Sequence, residues 1–144
     1  AKNIGCYLSF GSEVDTNLII SYALSKKKRI FIPVIENKTK MLFKSITTDT
    51  QFLKNRFGIK EPKSGKLIAA EFLDIVLTPI VGFDDKKNRI GMGGGYYDRT
   101  FAFTKIKENN YKTRLIGLAF QCQRIEKIKP NKWDVPLLKI ITNV

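Results

Sequence analysis

The sequence predicts a single α/β domain, built on a largely parallel β-sheet with helices on both faces. Segments typical of strands and helices alternate along the chain without a linker between them. Residues 31–35 (FIPVI) form an apolar run of the kind that is buried on both faces of a parallel sheet. The chain has 144 residues, of which 43% are apolar, and this length suits one hydrophobic core. We therefore treat residues 1–144 as one domain.

The N-terminal part of the sequence predicts a strand, a helix and a second strand. Apolar residues alternate over residues 4–10, which indicates the first strand. Asp15 or Thr16 is expected to cap the helix that follows. Four residues of that helix recur at helical spacing, namely Leu18, Ile19, Tyr22 and Ala23. The basic run at 26–29 closes the helix and residues 29–35 form the next strand, so the segment is a βαβ unit.

The rest of the chain predicts a longer series of elements. Residues 40–46 have the pattern of a strand, whereas residues 47–66 are interpreted as a long connection with at most a short helical turn. Residues 72–83 (FLDIVLTPIVGF) carry the strongest strand signal in the sequence. The remaining predicted elements are a polar turn at 84–88, a glycine-rich loop at 91–95, a helix at 96–109 and strands at 114–120 and 137–142.

The composition excludes several kinds of catalytic site. Because the sequence has no histidine, Ser–His and Cys–His nucleophile pairs, histidine metal sites and imidazole proton transfer are all excluded. Cys6 and Cys122 are too few and too far apart for a disulfide scaffold or a zinc knuckle, and both are expected to be buried. Acid–base chemistry would therefore fall to carboxylates, lysines or tyrosines.

The formal net charge of +13 indicates an anionic ligand. The lysines are spread along the whole chain, and no zinc-finger spacing, RNP pattern or helix-turn-helix is recognisable. We therefore expect an anionic small molecule and no nucleic acid, with a basic nucleic-acid-associated α/β domain as the alternative. The sequence shows no signal peptide and no apolar run near the ~20 residues of a membrane helix, so we expect a cytoplasmic protein without membrane attachment.

A glycine-rich loop lies between a predicted strand and a predicted helix at residues 89–95 (RIGMGGG). Glycines let the backbone approach an anion, and a helix N-terminus directs unpaired N–H groups toward it, so the pattern favours phosphate binding. The loop lacks the Gly-Lys-Ser/Thr ending of a P-loop, and Tyr96 occupies the place of the third glycine of a dinucleotide fingerprint. A tight strand-to-helix turn is the alternative interpretation.

The longer segment 89–99 (RIGMGGGYYDR) resembles the signature of the 5-formyltetrahydrofolate cyclo-ligase family. Other segments are similar to the family in the same order: YLSFGSEVDT at 7–16, FIPVI at 31–35, FGIKEP at 57–62, LTPIVGFD at 77–84, IGLAF at 116–120 and WDVPL at 133–137. The resemblance covers essentially the whole chain. It implies a NagB/RpiA/CoA-transferase-like fold.

The resemblance implies an enzyme that uses ATP and Mg²⁺ to convert 5-formyltetrahydrofolate, with or without a polyglutamate tail, to 5,10-methenyltetrahydrofolate. Phosphorylation of the formyl oxygen would create a good leaving group, and the neighbouring folate nitrogen would then close the ring as phosphate departs. This chemistry asks the protein mainly for alignment and charge neutralisation, which a site without histidine can supply. The enzyme is expected to act as a monomer.

The resemblance also assigns residues to three parts of the site. The ATP-binding segment is matched by Arg89, Ile90, Gly91, Met92, Gly93, Gly94, Gly95, Tyr96 and Tyr97. Within this segment Arg89 and Tyr96 are the implied catalytic residues. The folate-binding positions are matched by Leu8, Glu13, Met41 and Tyr96. Mg²⁺ would be held by Asp98 and, on a weaker match, Asp134.

Alternative roles stay open for several of these residues. One of the two tyrosines is expected to pack against the core, and Leu8 and Met41 could equally be core residues. Asp98 could cap its helix, and Asp134 could simply form a turn before Pro136.

Three features depart from the family pattern. The family begins with a basic helix that reaches the ATP phosphates, whereas this chain starts at its first strand, so either the sequence is a fragment or the domain lacks that helix. The glycine-rich loop carries Met92 and Gly94 where relatives often place arginine or lysine, which removes positive charge from the phosphates. Trp133 stands where the family often has histidine. A catalytically weak remnant that binds nucleotide or folate is therefore the alternative function.

Overall fold

The computed structural model of the protein describes residues 1–91, 94–106 and 110–143. The strands in these residues are β1 (Asn3–Cys6), β2 (Arg29–Ile35), β3 (Met41–Ile46), β4 (Phe52–Lys54), β5 (Lys60–Pro62), β6 (Leu67–Ile68), β7 (Ile75–Pro79), β8 (Gly82–Phe83), β9 (Arg89–Ile90), β10 (Arg114–Leu118) and β11 (Lys139–Ile141). The α-helices are α1 (Asn17–Ser25) and α2 (Tyr96–Thr100), and 3-10 turns occur at Ala70–Phe72, Ala102–Lys105 and Gln121–Gln123. Within the described residues, no helix is long and apolar enough to span a membrane.

Seven strands of the described residues form one sheet in the order β11-β10-β7-β1-β2-β3-β6. From β11 to β2 each neighbouring pair is parallel, whereas β3 is antiparallel to both β2 and β6. The predicted α/β class with a largely parallel sheet is confirmed. The connection between β2 and β3 is a short turn, and a connection of that length can join only antiparallel neighbours.

The sheet buries a different apolar cluster on each face. Along β2, Ile30 points to one face and Phe31 to the other, as the two-residue period of a strand requires. The face that carries Ile30 packs against α1. The opposite face carries the larger cluster. In it the fully buried rings of Phe43 and Phe101 form a T-shaped pair with their centroids 5.8 Å apart. Each such buried side chain contributes about 1.5–3 kcal/mol, so this face holds the main part of the core.

The helix α1 lies where the sequence predicts a helix, but only some of its apolar residues are buried against the sheet. Ile20 and Ala23 are buried, whereas Leu18 is 86% exposed and Tyr22 is 66% exposed. The residues that recur at helical spacing therefore predicted the helix, but they are not all buried. Residues 18–24 (LIISYAL) are apolar on almost every side, so helical spacing alone does not select the stripe that packs on the sheet.

The N-cap residue of α1 is Thr16, and no side chain forms the predicted cap bond. Asp15 Oδ1 accepts the backbone N–H of Asn17 at 2.9 Å. Thr16 is buried, and its hydroxyl donates to the carbonyl of Tyr7 at 2.7 Å instead of capping the helix. Thr16 therefore joins the start of α1 to the chain that leaves β1.

Several predicted boundaries differ from the observed ones. The segment 47–66, expected to be a plain connection, contains the hairpin β4–β5. Glu61 holds this hairpin to the main sheet, because its Oε2 accepts the N–H of Ile35 at 2.7 Å. The predicted strand 72–83 is divided into β7 and β8. Such contacts depend on packing between distant segments, which local residue patterns do not reveal.

Two further expectations change at the C-terminal side of the chain. The predicted helix 96–109 is limited to α2 and one 3-10 turn, and residues 107–109 lie outside the described residues. Cys6 is buried as expected, but Cys122 is exposed because it lies in a 3-10 turn beyond the end of β10. The short helix also means that a helix dipole contributes less at the glycine-rich loop than the sequence suggests.

The strand order reverses at β1, since β2 lies on one side of it and β7, β10 and β11 lie on the other. Open α/β sheets bind ligands beyond the carboxyl ends of their strands at such a point. In this fold those ends are Cys6 of β1, Ile35 of β2 and Pro79 of β7. The topology therefore places the expected ligand site just beyond these three residues.

Candidate functional site

A cavity of about 680 Å³ opens beyond the carboxyl ends of β1, β2 and β7. The residues after β1 form one of its walls, and Gly91, Gly94 and Gly95 of the glycine-rich loop contribute to a second. The hairpin β4–β5 forms a third wall, and the segment 128–134, which has no helix or strand, forms the fourth. A volume of this size is typical of small-molecule sites.

The cavity brings together the residues that the sequence singles out. Its lining includes Leu8, Glu13, Met41, Arg89, Ile90, Gly91, Gly94, Gly95, Tyr96, Tyr97, Asp98 and Asp134. Met92 and Gly93 lie outside the described residues. The predicted residues therefore share one site, and the role of each in that site stays a prediction.

Arg89 holds a largely buried positive charge at the cavity wall. Its side chain is only 10% exposed, and its guanidinium lies over the ring of Tyr97 at 5.4 Å from the centroid. Nη2 lies 3.9 Å from Asp98 Oδ1, and Nη1 donates a long bond of 3.5 Å to the carbonyl of Pro79. Among the described residues Nε has no hydrogen-bond partner. A buried cation with an unused donor is suited to an anionic ligand.

Two glycines of the loop have distinct surroundings. A Cβ atom at Gly91 would lie 2.7 Å from Arg89 Nη1, so a larger residue there would shift the guanidinium from its present position. Gly95 starts α2 with a φ of +69°, in the left-handed region that glycine adopts without strain. The small size of Gly91 therefore leaves room for the guanidinium of Arg89, in addition to any room it leaves for a ligand near the backbone.

The two tyrosines of the signature have different environments. The ring of Tyr97 stacks on Phe101 with centroids 6.0 Å apart, and burial raises the pKa of Tyr97 well above its ordinary value although Arg89 opposes the shift. Tyr96 Oη donates to the carbonyl of Asn37 at 3.3 Å, and Arg99 lies over its ring at 4.9 Å. Both tyrosines pack against the larger core cluster, although only one was expected to do so, and Tyr96 also ties α2 to the turn after β2.

Asp98 connects the glycine-rich loop to the segment 128–134. Its Oδ1 accepts the N–H of Val135 at 3.0 Å, in addition to its contact with Arg89. Asp134, next to Val135, uses Oδ2 to accept the N–H of Asn131 at 2.8 Å, as a turn residue would. Asp98 does not cap α2, which was the alternative role considered for it. Its side chain instead accepts a hydrogen bond from Val135, 37 residues further along the chain.

The acidic residues of the cavity could hold Mg²⁺ only with help from a ligand. Within the described ranges no three His, Cys, Asp or Glu side chains come together as a metal cluster. Mg²⁺ commonly takes one or two carboxylates and completes its octahedral shell with phosphate oxygens and water. Asp98 and Asp134, which both line the cavity, fit that limited demand.

Glu13 and its neighbours form the opposite part of the cavity. Glu13 Oε1 accepts the N–H of Phe10 at 2.8 Å, and burial raises the pKa of the Glu13 carboxyl while that hydrogen bond partly offsets the shift. Met41 is buried in the larger core cluster, and Leu8 is partly buried beside the smaller one. Both residues therefore serve the core and the cavity wall together.

Sequence reasoning missed several residues of the cavity. Tyr7 is buried, lines the cavity and donates its hydroxyl to the carbonyl of Val14 at 2.8 Å. Lys60 and Lys129 also line the cavity, but nothing distinguishes them from the other lysines of a chain with a net charge of +13. Phe57 lies in the FGIKEP segment and Trp133 in the WDVPL segment, so these two motifs were the available signal.

The charges that line the cavity almost balance. Among the described residues that line it, three are cations, Arg89, Lys60 and Lys129, and four are acids, Glu13, Glu61, Asp98 and Asp134. A ligand with several negative charges would therefore need an additional cation. The largely buried guanidinium of Arg89 and the switch point of the sheet nevertheless define an α/β protein with a site for a small anionic molecule.

Comparison with known proteins identifies the family within this class to which the chain belongs. The profile of the 5-formyltetrahydrofolate cyclo-ligase family matches residues 1–143. The chain belongs to this family. It is 40% identical over 148 aligned positions to the 5-formyltetrahydrofolate cyclo-ligase of Haemophilus influenzae, and this covers 98% of the chain and 75% of that protein. The enzyme of the same name from Escherichia coli K12 is 35% identical over 146 positions, with 99% and 78% covered.

Solved structures are similar over almost the whole chain. The NMR structure of Aquifex aeolicus 5,10-methenyltetrahydrofolate synthetase has a TM-score of 0.79 at 28% identity and covers 98% of this chain and 68% of that one. The 5,10-methenyltetrahydrofolate synthetase from Mycoplasma pneumoniae has a TM-score of 0.73 at 23% identity, with 97% and 72% covered. The second similarity supports the fold alone.

Proposed function

We propose that this chain catalyses the ATP-dependent conversion of 5-formyltetrahydrofolate to 5,10-methenyltetrahydrofolate, with release of ADP and phosphate. The observation that carries the proposal is Arg89, whose largely buried guanidinium has an Nε donor with no partner among the described residues and lies in the cavity beside the family's glycine-rich loop. Relatives that are 35–40% identical and bear the name 5-formyltetrahydrofolate cyclo-ligase support the same activity.

The reaction needs two ligands side by side in one cavity. The formyl oxygen would attack the terminal phosphorus of ATP, and the bond between that phosphorus and ADP would break. The neighbouring folate nitrogen would then attack the activated carbon, lose its proton and expel phosphate. Arg89 would neutralise charge on the transferred phosphoryl group, and the glycine-rich loop would hold the remaining phosphates.

Asp98 and Asp134 are the residues that would hold Mg²⁺ in this proposal. A bound Mg²⁺ would neutralise the phosphate oxygens and orient the nucleotide. The near balance of charge in the cavity supports this need, because four acids already offset the three cations. Asp98 keeps Arg89 and the segment 128–134 in place whether or not the metal is bound.

The folate would occupy the part of the cavity around Glu13. A carboxylate there can accept hydrogen bonds from the N–H donors of a pterin ring. Leu8 and Met41 would contact the apolar parts of the ligand, and Tyr96 would lie near the junction with the nucleotide. The enzyme is proposed to act as a monomer on this small-molecule substrate, without nucleic acid or membrane.

Turnover with the two substrates tests the proposed function. We expect 5,10-methenyltetrahydrofolate to form only when ATP, Mg²⁺ and 5-formyltetrahydrofolate are all present, measured by its absorbance and by release of ADP. Removing Mg²⁺ with a chelator should abolish turnover and should be reversed by added Mg²⁺. Binding of both ligands without turnover would support a catalytically weak remnant instead. Failure to bind either ligand would contradict both functions.

A Glu13→Gln substitution should weaken folate binding and leave ATP binding nearly unchanged. A charge-assisted hydrogen bond is worth about 1.5–3 kcal/mol, so the folate dissociation constant should rise about 10- to 150-fold. Because the pKa of Glu13 is raised, its carboxylate protonates at a higher pH than an ordinary glutamate. Folate affinity of the wild type should therefore fall as the pH is lowered, and the variant should lose this dependence. Calorimetric titration at several pH values measures both effects.

The matched control for Glu13→Gln is Glu36→Gln. Glu36 is exposed and paired with Lys40 at 3.5 Å. Its substitution should leave both affinities unchanged. Glutamine at position 13 retains an oxygen for the Phe10 N–H, so the melting temperature should not fall. An equal loss of affinity for ATP and folate would mean that Glu13 supports the fold and not the pterin site.

A further inference from the structure

The segment 128–135 passes along one wall of the cavity without a helix or strand of its own. It carries Lys129, Trp133 and Asp134 into the lining. Its backbone is held at its two ends by carboxylates from elsewhere in the chain: Asp98 accepts the N–H of Val135, and Asp84 accepts the N–H of Ile128 at 3.0 Å. We call residues 128–135 the wall segment.

Asp84 is buried and does not line the cavity. Its Oδ1 accepts the N–H groups of Lys86 and Asn88, both at 3.0 Å. Its Oδ2 accepts Asn88 Nδ2 at 3.1 Å in addition to the N–H of Ile128. One carboxylate thus shapes the turn that leads into Arg89 and at the same time holds the wall segment.

The charge of Asp84 suits this arrangement. Burial alone would raise the pKa of Asp84, but the hydrogen bonds from Asn88, Ile128 and Lys86 outweigh burial and lower the pKa below its ordinary value. The group is therefore ionised at neutral pH and can accept all four bonds at once. A neutral side chain of the same shape cannot do so.

We propose that Asp84 is a positioning residue for the nucleotide half of the site. By holding the turn before Arg89 and the start of the wall segment to one carboxylate, it sets the distance between the glycine-rich loop and the wall that faces it. This inference rests on the proposed function, in which Arg89, Asp98 and Asp134 serve ATP and Mg²⁺. None of the side-chain hydrogen bonds of Asp84 in the described residues goes to the folate half around Glu13.

Asp84→Asn is the most direct test, because it changes hydrogen bonding and hardly changes shape. An asparagine can keep its oxygen toward the N–H groups of Lys86 and Asn88, but its amide N–H₂ would then face the N–H of Ile128. The wall segment should lose its anchor while the turn survives. We expect the ATP dissociation constant to rise about tenfold, the loss expected from one charge-assisted hydrogen bond, and the folate constant to change less than threefold.

Trp133 provides a readout that needs no ligand. It is the only tryptophan of the sequence and lies within the wall segment. In Asp84→Asn its fluorescence anisotropy should fall and its quenching by acrylamide should increase. The matched control is Asp85→Asn, which removes the same charge from the same turn but disrupts only an exposed ion pair with Arg124. That variant should leave the Trp133 signal and both affinities unchanged.

Asn88→Ala keeps the test decisive if Asp84→Asn does not fold. This variant removes one donor to Asp84 Oδ2 and leaves the bond from Ile128 in place. It should shift ATP affinity and the Trp133 signal in the same direction by a smaller amount. The inference is overturned if these variants weaken ATP and folate binding equally, or if the Trp133 signal does not change. If the wild type itself fails to bind ATP, the proposed function is at fault.

Discussion

Replacing Arg89 by methionine should abolish most of the turnover and weaken ATP binding. Methionine keeps an apolar stem against Tyr97 but removes a guanidinium that is only 10% exposed and has an unused Nε donor among the described residues. The loss of one charge-assisted contact is worth about 1.5–3 kcal/mol, which corresponds to a rise of about 10- to 150-fold in the ATP dissociation constant. Because such donors stabilise charge in the transition state, kcat should fall by about 10²–10³.

Arg99→Met is the matched control for Arg89→Met. Arg99 belongs to the same signature, but its guanidinium binds the carbonyls of Lys38 and Thr39 at the surface and does not line the cavity. Steady-state kinetics and calorimetric ATP titration should therefore show no more than a small change for Arg99→Met. Equal losses in the two variants would indicate that the arginines act through general charge. Full activity of Arg89→Met would contradict the role of Arg89 in phosphate binding.

Asp98→Asn should remove the response to Mg²⁺ while leaving the fold largely intact. Asparagine can still accept the N–H of Val135 through its oxygen, so the link to the wall segment survives. The negative charge beside Arg89 is lost, and with it one of the two carboxylates proposed for the metal. We expect turnover at saturating Mg²⁺ to fall about 100-fold, in line with the several kcal/mol that a metal contributes to phosphoryl transfer.

The ATP affinity measured without Mg²⁺ distinguishes a metal-binding role of Asp98 from a purely structural one. In the absence of Mg²⁺ the carboxylate repels the phosphates, so metal-free ATP should bind Asp98→Asn at least as tightly as the wild type. Titration of ATP with and without Mg²⁺ measures this crossover. Asp98→Ala should additionally lower the stability by about 0.5–1.5 kcal/mol, because the Val135 N–H loses its acceptor. A normal Mg²⁺ response in Asp98→Asn would limit Asp98 to a structural role.

The local features of the fold and site could be predicted from the sequence. The βαβ unit, the strand at residues 29–35 and the polar turn at 84–88 follow from periodicity and turn-forming residues over a few positions. The signature at 89–99 identified the family, and the residues it implied lie in one cavity where the structure describes them. These features depend on neighbours in the chain, so the sequence by itself determined them.

The tertiary structure decided which side chains meet. Asp98 and Val135 are 37 residues apart in sequence, and Asp84 and Ile128 are 44 apart, so no local pattern pairs them. The stripe that α1 buries was also settled by the sheet beneath it, because the helix is apolar on almost every side. Hydrogen bonds and core contacts between distant segments form only when the whole sheet is assembled. For that reason the sequence predicted most of the residues of the site, whereas the long-range hydrogen bonds that hold the walls of the cavity in place could be seen only in the structure.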